Sequence, residues 1–129
     1  MGDQAPSGKL ALQTIAMPAD TNASGDIFGG WLMAQMDIAA SIPARARARG
    51  RVATVAVEAM SFHQPVHVGD LVTIYTDIVR EGRTSMGIDV ETWVTRSPDQ
   101  EIFRVTQAHF VFVATDGAGN KRALPEAAS

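Results

Sequence analysis

Asp26-Ile-Phe-Gly-Gly-Trp-Leu-Met-Ala-Gln-Met-Asp-Ile-Ala-Ala-Ser-Ile42 is the stretch on which the fold turns. It is rich in Ala, Met and Leu and poor in β-branched residues, which reads as helix. The segment is apolar almost all round, so such a helix must be covered on most of its sides. Pro43 should kink it or end its first part, because the ring lacks a backbone donor and clashes one turn back. The remainder, Ala44–Arg49 (ARARAR), then runs to Gly50, a suitable terminator.

Outward from the helix, the chain reads as strands. Ahead of it, Lys9–Met17 (KLALQTIAM) has the length and apolar content of a first strand, stopped by Pro18. Asp20–Gly25 (DTNASG) is a cluster of turn formers and hence a loop. Behind it lie four long segments: Val52–His63, Leu71–Val79, Thr84–Thr95 and Ile102–Thr115. They are separated by Pro65 with Gly69-Asp70, Glu81-Gly82, Ser97-Pro98-Asp99 and Asp116-Gly117. In the third, Met86, Ile88, Val90, Thr92 and Val94 alternate with mostly polar neighbours, as in a half-covered antiparallel sheet. The order strand, helix, four strands is α+β: a long antiparallel sheet curling around one helix. The last segment is apolar on both faces, with Ile102, Phe110 and Phe112 opposite Phe103, Val105, Val111 and Val113. One helix cannot cover both, so a second copy of the chain is expected over part of the remainder.

The 129 residues suit a single domain. Residues 1–8 read as a polar lead, 9–122 as the domain and 123–129 as a tail. A net charge of −3 is the wrong sign for a general nucleic-acid binder. The absence of cysteine removes disulfides, thiolate-held zinc and thiol nucleophiles. No stretch approaches the ~20 apolar residues of a membrane span. The start lacks the basic and apolar regions of a signal peptide, so the cytoplasm is the expected compartment.

Asp37 is the most informative residue for chemistry. Placed mid-helix among Met33, Met36, Ile38, Ala40 and Ser41, a buried carboxylate needs partners or keeps its proton. It is either a general base or nucleophile in a dry cleft, or a carboxylate bonded to nearby backbone or turned to solvent. Gly29-Gly30 at the helix start lets another molecule approach free backbone N–H groups that suit a developing negative oxygen. Asp26, taken alone, reads as the helix N-cap. The Gly25…Gly30 spacing imitates half a phosphate loop, but Trp31-Leu32 stand where Lys and Ser/Thr are required. His63 and His67 have a metal-like spacing that aligns ligands only on a helix, which Pro65 forbids. His109 is a lone strand residue, and no Gly-x-Ser-x-Gly elbow exists. Arg45, Arg47, Arg49 and Arg51 crowd the helix end, where they complement its dipole and stay solvated, or else bind phosphate.

Five segments, in order across residues 10–125, resemble the bacterial acyl-CoA thioesterases of the YciA type. They are Ala16-Met-Pro-Ala-Asp-Thr-Asn-Ala-Ser-Gly-Asp-Ile-Phe-Gly-Gly-Trp-Leu-Met-Ala-Gln-Met-Asp and Gly50-Arg-Val-Ala-Thr-Val-Ala-Val-Glu-Ala-Met-Ser-Phe, then Pro65-Val-His-Val-Gly-Asp, Gly82-Arg-Thr-Ser and Arg122-Ala-Leu-Pro. The resemblance implies a hotdog fold and hydrolysis of acyl-CoA to a free acid and coenzyme A, with no metal or organic cofactor. It also implies homo-oligomers, hotdog dimers commonly gathered as a trimer of dimers, with active sites at the dimer interface. Neither nucleic acid nor membrane is an implied partner. By the same resemblance Asp37 is the catalytic helix carboxylate, Asp26 faces the partner's helix carboxylate, and Gly29-Gly30 polarise the thioester carbonyl. Asn22, Thr54, Val55, Arg83, Thr84 and Ser85 then belong to the substrate side, with Arg122 beside them. Pro43 and the Ala-Arg repeat depart from the family's more regular helix continuation. A hotdog hydratase or dehydratase would use a His with an acid, and no His lies near Gly25–Asp37. A silent acyl-CoA sensor would have lost the acids, whereas both Asp26 and Asp37 are present. The acyl preference, and the choice between a base and an anhydride mechanism, stay open.

Overall fold

Packing against a sheet decides where the helix runs. The computed structural model describes residues 5–127; the first four residues of the expected lead and the last two of the expected tail lie outside the described residues. Strand β1 (Lys9–Ile15) leads through a short 3-10 turn (Pro18–Asp20) to helix α1 (Gly29–Ala48). Strands β2 (Val52–Phe62), β3 (Leu71–Glu81), β4 (Ser85–Arg96) and β5 (Glu101–Ala114) follow. All pair antiparallel in the order β1-β3-β4-β5-β2, and α1 touches all five. The expected α+β layering is present, with β1 and β2 at the two edges.

The helix differs from expectation at both ends and in the middle. It starts at Gly29 with Phe28 as N-cap, not at Asp26, and no side chain caps it. Pro43 neither ends nor divides it. The ring deprives the Ala39 carbonyl of its intrahelical donor. However, Met36, Ala39, Ala40, Ala44 and Ala48, on both sides of the proline, are fully buried. Burial of one continuous stripe outweighs one lost hydrogen bond. At the far end Arg49, not Gly50, takes the left-handed conformation (φ 55°), and its N–H bonds back to the Arg45 carbonyl.

Under the helix lie Ile74, Met86, Ile88, Val90, Val94, Phe110 and Phe112, all essentially inaccessible. The Phe110 and Phe112 rings stack at 6.4 Å. Phe110→Ala is expected to cost about 3–5 kcal/mol, the loss of a fully buried aromatic plus the cavity it leaves. Chemical denaturation of the two proteins measures it.

A bulge explains why β5 looks apolar on both faces. Thr92 pairs with Thr106 but Trp93 with Arg104, so Val105 is an extra residue and the facing of side chains flips there. Phe103, before the bulge, and Phe110, after it, therefore pack on the same core. Strand β2 carries two such shifts, between Thr54 and Ala56 and between Glu58 and Ser61.

The apolar surface left open lies elsewhere than expected. The sheet covers one side of α1 only, through Leu32, Met36, Ala39, Ala40, Ala44 and Ala48. Ile38 and Ile42 face outward on the other side, and Met33, near the start of the helix, is also exposed. Edge strand β2 adds exposed Val55, Val57 and Phe62, and β5 adds Ile102. No described helix is long and apolar enough to cross a membrane.

Candidate active site

Thr54 lies on β2 opposite buried Phe112, near the point where the edge strand passes α1. Its hydroxyl donates to Asp37 Oδ1 at 2.5 Å. Asp37 is half-buried, not enclosed, and Thr54 is its only hydrogen-bond partner among the described residues. One carboxylate oxygen is thus held from the sheet while the other stays free.

The second element of the site is the start of α1. The Phe28 amide bonds to the Asp20 carbonyl, and the Trp31 and Leu32 amides bond to the Phe28 carbonyl. The amides of Gly29 and Gly30, first in the helix, have no partner among the described residues. A Cβ added at Gly30 would meet nothing within 4 Å, and one at Gly29 only the Phe62 ring at 3.7 Å. Neither glycine carries a side chain that would shield the two free donors. That is what a developing oxyanion requires.

Asp26 sits in the turn before the helix, half-buried, its carboxylate unpartnered among the described residues. The turn is built by Asn22, whose side-chain oxygen accepts the Ser24 amide at 2.8 Å and the Asp26 amide at 3.1 Å. Asn22 therefore shapes the loop that presents Asp26.

Gly30 and Asp37 stand seven residues apart on one helix, which places them on the same face but about 10 Å apart along the axis. The free amides and the carboxylate therefore stand apart on the helix.

The remaining candidates fall into two groups. Arg83, Thr84 and Ser85 form the β3–β4 hairpin, closed by the Gly82 amide on the Ser85 carbonyl. The Thr84 carbonyl accepts the Ala114 amide and the Arg83 carbonyl the Leu124 amide, so the hairpin backbone anchors the chain end. Arg83 is exposed and has no ion pair among the described residues, and Val55 is exposed at the β2 bulge. Arg122 is engaged differently. Its Nε donates to the Thr115 carbonyl at 2.8 Å and its Nη2 to the Ala48 carbonyl at 2.9 Å, closing the C-terminal end of α1.

Within the arginine run, Arg47 forks onto Glu81 and reaches the Pro125 carbonyl, while Arg51 holds the Asp116 and Gly117 carbonyls. Arg45 and Arg49 remain exposed. His109 Nδ1 lies 2.8 Å from Asp89 Oδ1. No three potential metal ligands come together among the described residues. The contact that sequence reading missed is Thr54 with Asp37: the threonine reads as a substrate residue, and no local pattern links two positions 17 residues apart.

This sheet and helix define a hotdog fold, and the chain belongs to the thioesterase superfamily, whose family model matches residues 24–98. More particularly, it is 52% identical over 126 residues to the acyl-CoA thioester hydrolase YciA of Salmonella typhimurium, covering 95% of each chain. Among solved structures, the hexameric thioesterase y2039 from Yersinia pestis is 50% identical, with a TM-score of 0.92, covering 95% of this chain and 100% of that one. HI0827, a hexameric broad specificity acyl-coenzyme A thioesterase, is 49% identical with a TM-score of 0.91, covering 95% and 85%.

Proposed function

We propose that this chain is an acyl-CoA thioester hydrolase that releases a free carboxylic acid and coenzyme A. The observation that carries the reading is the Thr54-held carboxylate of Asp37 on a helix whose start bears the free Gly29 and Gly30 amides. The names of the relatives, thioesterases acting on acyl-CoA, support it.

The substrate carbonyl oxygen sits at the Gly29 and Gly30 amides, which stabilise the charge it gains. Asp37 takes a proton from water as the water oxygen bonds to the carbonyl carbon. The tetrahedral intermediate then collapses, the C–S bond breaks and the pair of electrons leaves on sulfur. A thiol ionises near pH 8.5, so the thiolate departs without a strong acid behind it. Asp37 returns its proton to the departing sulfur or to solvent. In the alternative route Asp37 attacks directly, expelling thiolate, and water cleaves the resulting anhydride. Either route balances with water and the chain's own residues, so we propose no metal or organic cofactor.

The 10 Å between the amides and the carboxylate makes a second copy part of the site. Its helix start comes to this chain's Asp37, and Asp26 faces the partner's helix carboxylate. The apolar edge of β2, the open face at Ile38 and Ile42 and the exposed Met33 are the surfaces such an assembly covers. A homodimer, gathered into hexamers like those named among the relatives, follows. Thr54, Val55, Thr84 and Ser85 flank the acyl-pantetheine arm, and the unpaired Arg83 meets a phosphate of coenzyme A. Arg122 contributes by holding the end of α1.

Thiol release from short, long and aromatic acyl-CoAs tests the reading. Release above background from at least one is expected, and the panel ranks the acyl groups. No release from any, with coenzyme A still bound, overturns it in favour of a binding module.

A further inference from the structure

The segment Pro65-Val-His-Val-Gly-Asp70 between β2 and β3 supplies none of the groups assigned above to the reaction. Its last residue is nevertheless a carboxylate almost entirely out of solvent, with 2% of its surface accessible. An isolated buried charge would be strongly disfavoured. Here it is met by the fork of Arg96 from the end of β4: Nε donates to Asp70 Oδ1 at 2.9 Å and Nη2 to Oδ2 at 2.7 Å. The His67 amide adds a third hydrogen bond at 2.8 Å, and Arg96 also reaches the Pro65 carbonyl at 3.2 Å. The guanidinium lies 4.9 Å from the centre of the Phe103 ring. Burial works against the charge on Asp70, but the Arg96 hydrogen bonds, the His67 amide and the charge of Arg96 outweigh it. They hold the carboxyl below the usual carboxylate range.

So fixed, the loop grips the chain ahead of the helix at two points. Asp70 and Gly69 exchange backbone hydrogen bonds with Ala16, at 3.1 and 2.8 Å. Buried Val66 offers its carbonyl to the Ile27 amide at 3.0 Å. These points bracket residues 17–26, which include Asn22 and Asp26, and the second lies two residues before Gly29.

We infer that Asp70 and Arg96 are positioning residues for thioester cleavage: their paired fork fixes the Val66 carbonyl and, through Ile27, sets where Asp26 and the free amides of Gly29 and Gly30 point. The inference rests on the proposed hydrolase reading. It goes further by giving an ion pair outside the site a share in the geometry of the oxyanion donors. Arginine is needed because two parallel bonds fix orientation, which a lysine's single rotating ammonium does not.

Three variants test it: Arg96→Gln, Arg96→Lys and Asp70→Asn. Arg96→Lys keeps a cation beside the buried Asp70 carboxylate and Asp70→Asn removes its charge, so these two keep the test open if Arg96→Gln, which strands that charge, does not fold. Misplacing reacting groups by about 1 Å costs on the order of a hundredfold. Arg96→Gln is accordingly expected to lower kcat roughly ten- to a hundredfold, with KM within about twofold, and Arg96→Lys to fall between it and wild type. Amide hydrogen exchange at Ile27 should quicken about tenfold while Ile88 and Phe110 exchange as before. A merely stabilising pair would instead speed exchange at all three and leave kcat unchanged below melting. A folded Arg96→Gln protein with wild-type kcat, or with Ile27 protected as before, overturns the inference. Absence of thiol release from wild-type protein would overturn the hydrolase reading and this catalytic role together. Ile27 exchange would then still report whether the pair holds the helix entrance.

Discussion

Asp37→Ala is expected to lower thiol release about a thousandfold while the protein stays folded and binds coenzyme A as before. The size follows from removing the group that takes the proton from water, a loss on the order of 100- to 10,000-fold. The intact fold follows from position. Asp37 is half-buried at the margin of the sheet, and its one hydrogen bond is to Thr54 on edge strand β2. Nothing in the core leans on it. Steady-state turnover, thermal melting and a coenzyme A titration, run on both proteins, separate chemistry from folding and binding. Near-normal turnover in the folded variant would remove Asp37 from the mechanism.

Mixing two inactive variants is expected to restore activity. If each site takes Asp26 and the helix start from one chain and Asp37 from another, Asp26→Ala and Asp37→Ala inactivate both sites of their homodimers. After random exchange half of the dimers are mixed, and each mixed dimer holds one intact and one doubly damaged site. Recovery should therefore approach about a quarter of wild-type activity. The separation of Gly30 and Asp37 by about 10 Å along one helix is the reason to expect such sharing. Verified subunit exchange without recovery would show that each chain works alone. The proposed site would then be wrong in its geometry even if its residues are right.

Much of the fold was legible because it rests on local signals. Turn formers bound each strand, and the change from Ala-rich to alternating sequence at Gly50 marks the end of the helix. What was illegible depended on tertiary competition. Asp26 looks like a cap, but the chain stays extended two residues longer because Ile27 bonds to the Val66 carbonyl. Pro43 looks like a stop, but the alanines on either side gain more from the sheet than the lost hydrogen bond costs. The bulge at Val105 leaves no mark in composition, and without it Phe103 and Phe110 sit on opposite faces.

The candidate site divides in the same way. Asp37 and the glycine pair stand out because a carboxylate and two glycines are unexpected in an apolar helix. The partners that aim them come from distant strands: Thr54 from β2, and Arg96 from β4 through Asp70. Such contacts exist only after the sheet has paired.

The two register shifts in β2 bear on how open its free edge is to a foreign strand. A straight apolar edge offers an even ladder of donors and acceptors, on which any extended chain can grow. Each bulge breaks that ladder and twists the edge locally. An intruding strand without matching interruptions loses hydrogen bonds at both breaks. The irregularity thus makes this margin a poor template for an open ribbon of added strands.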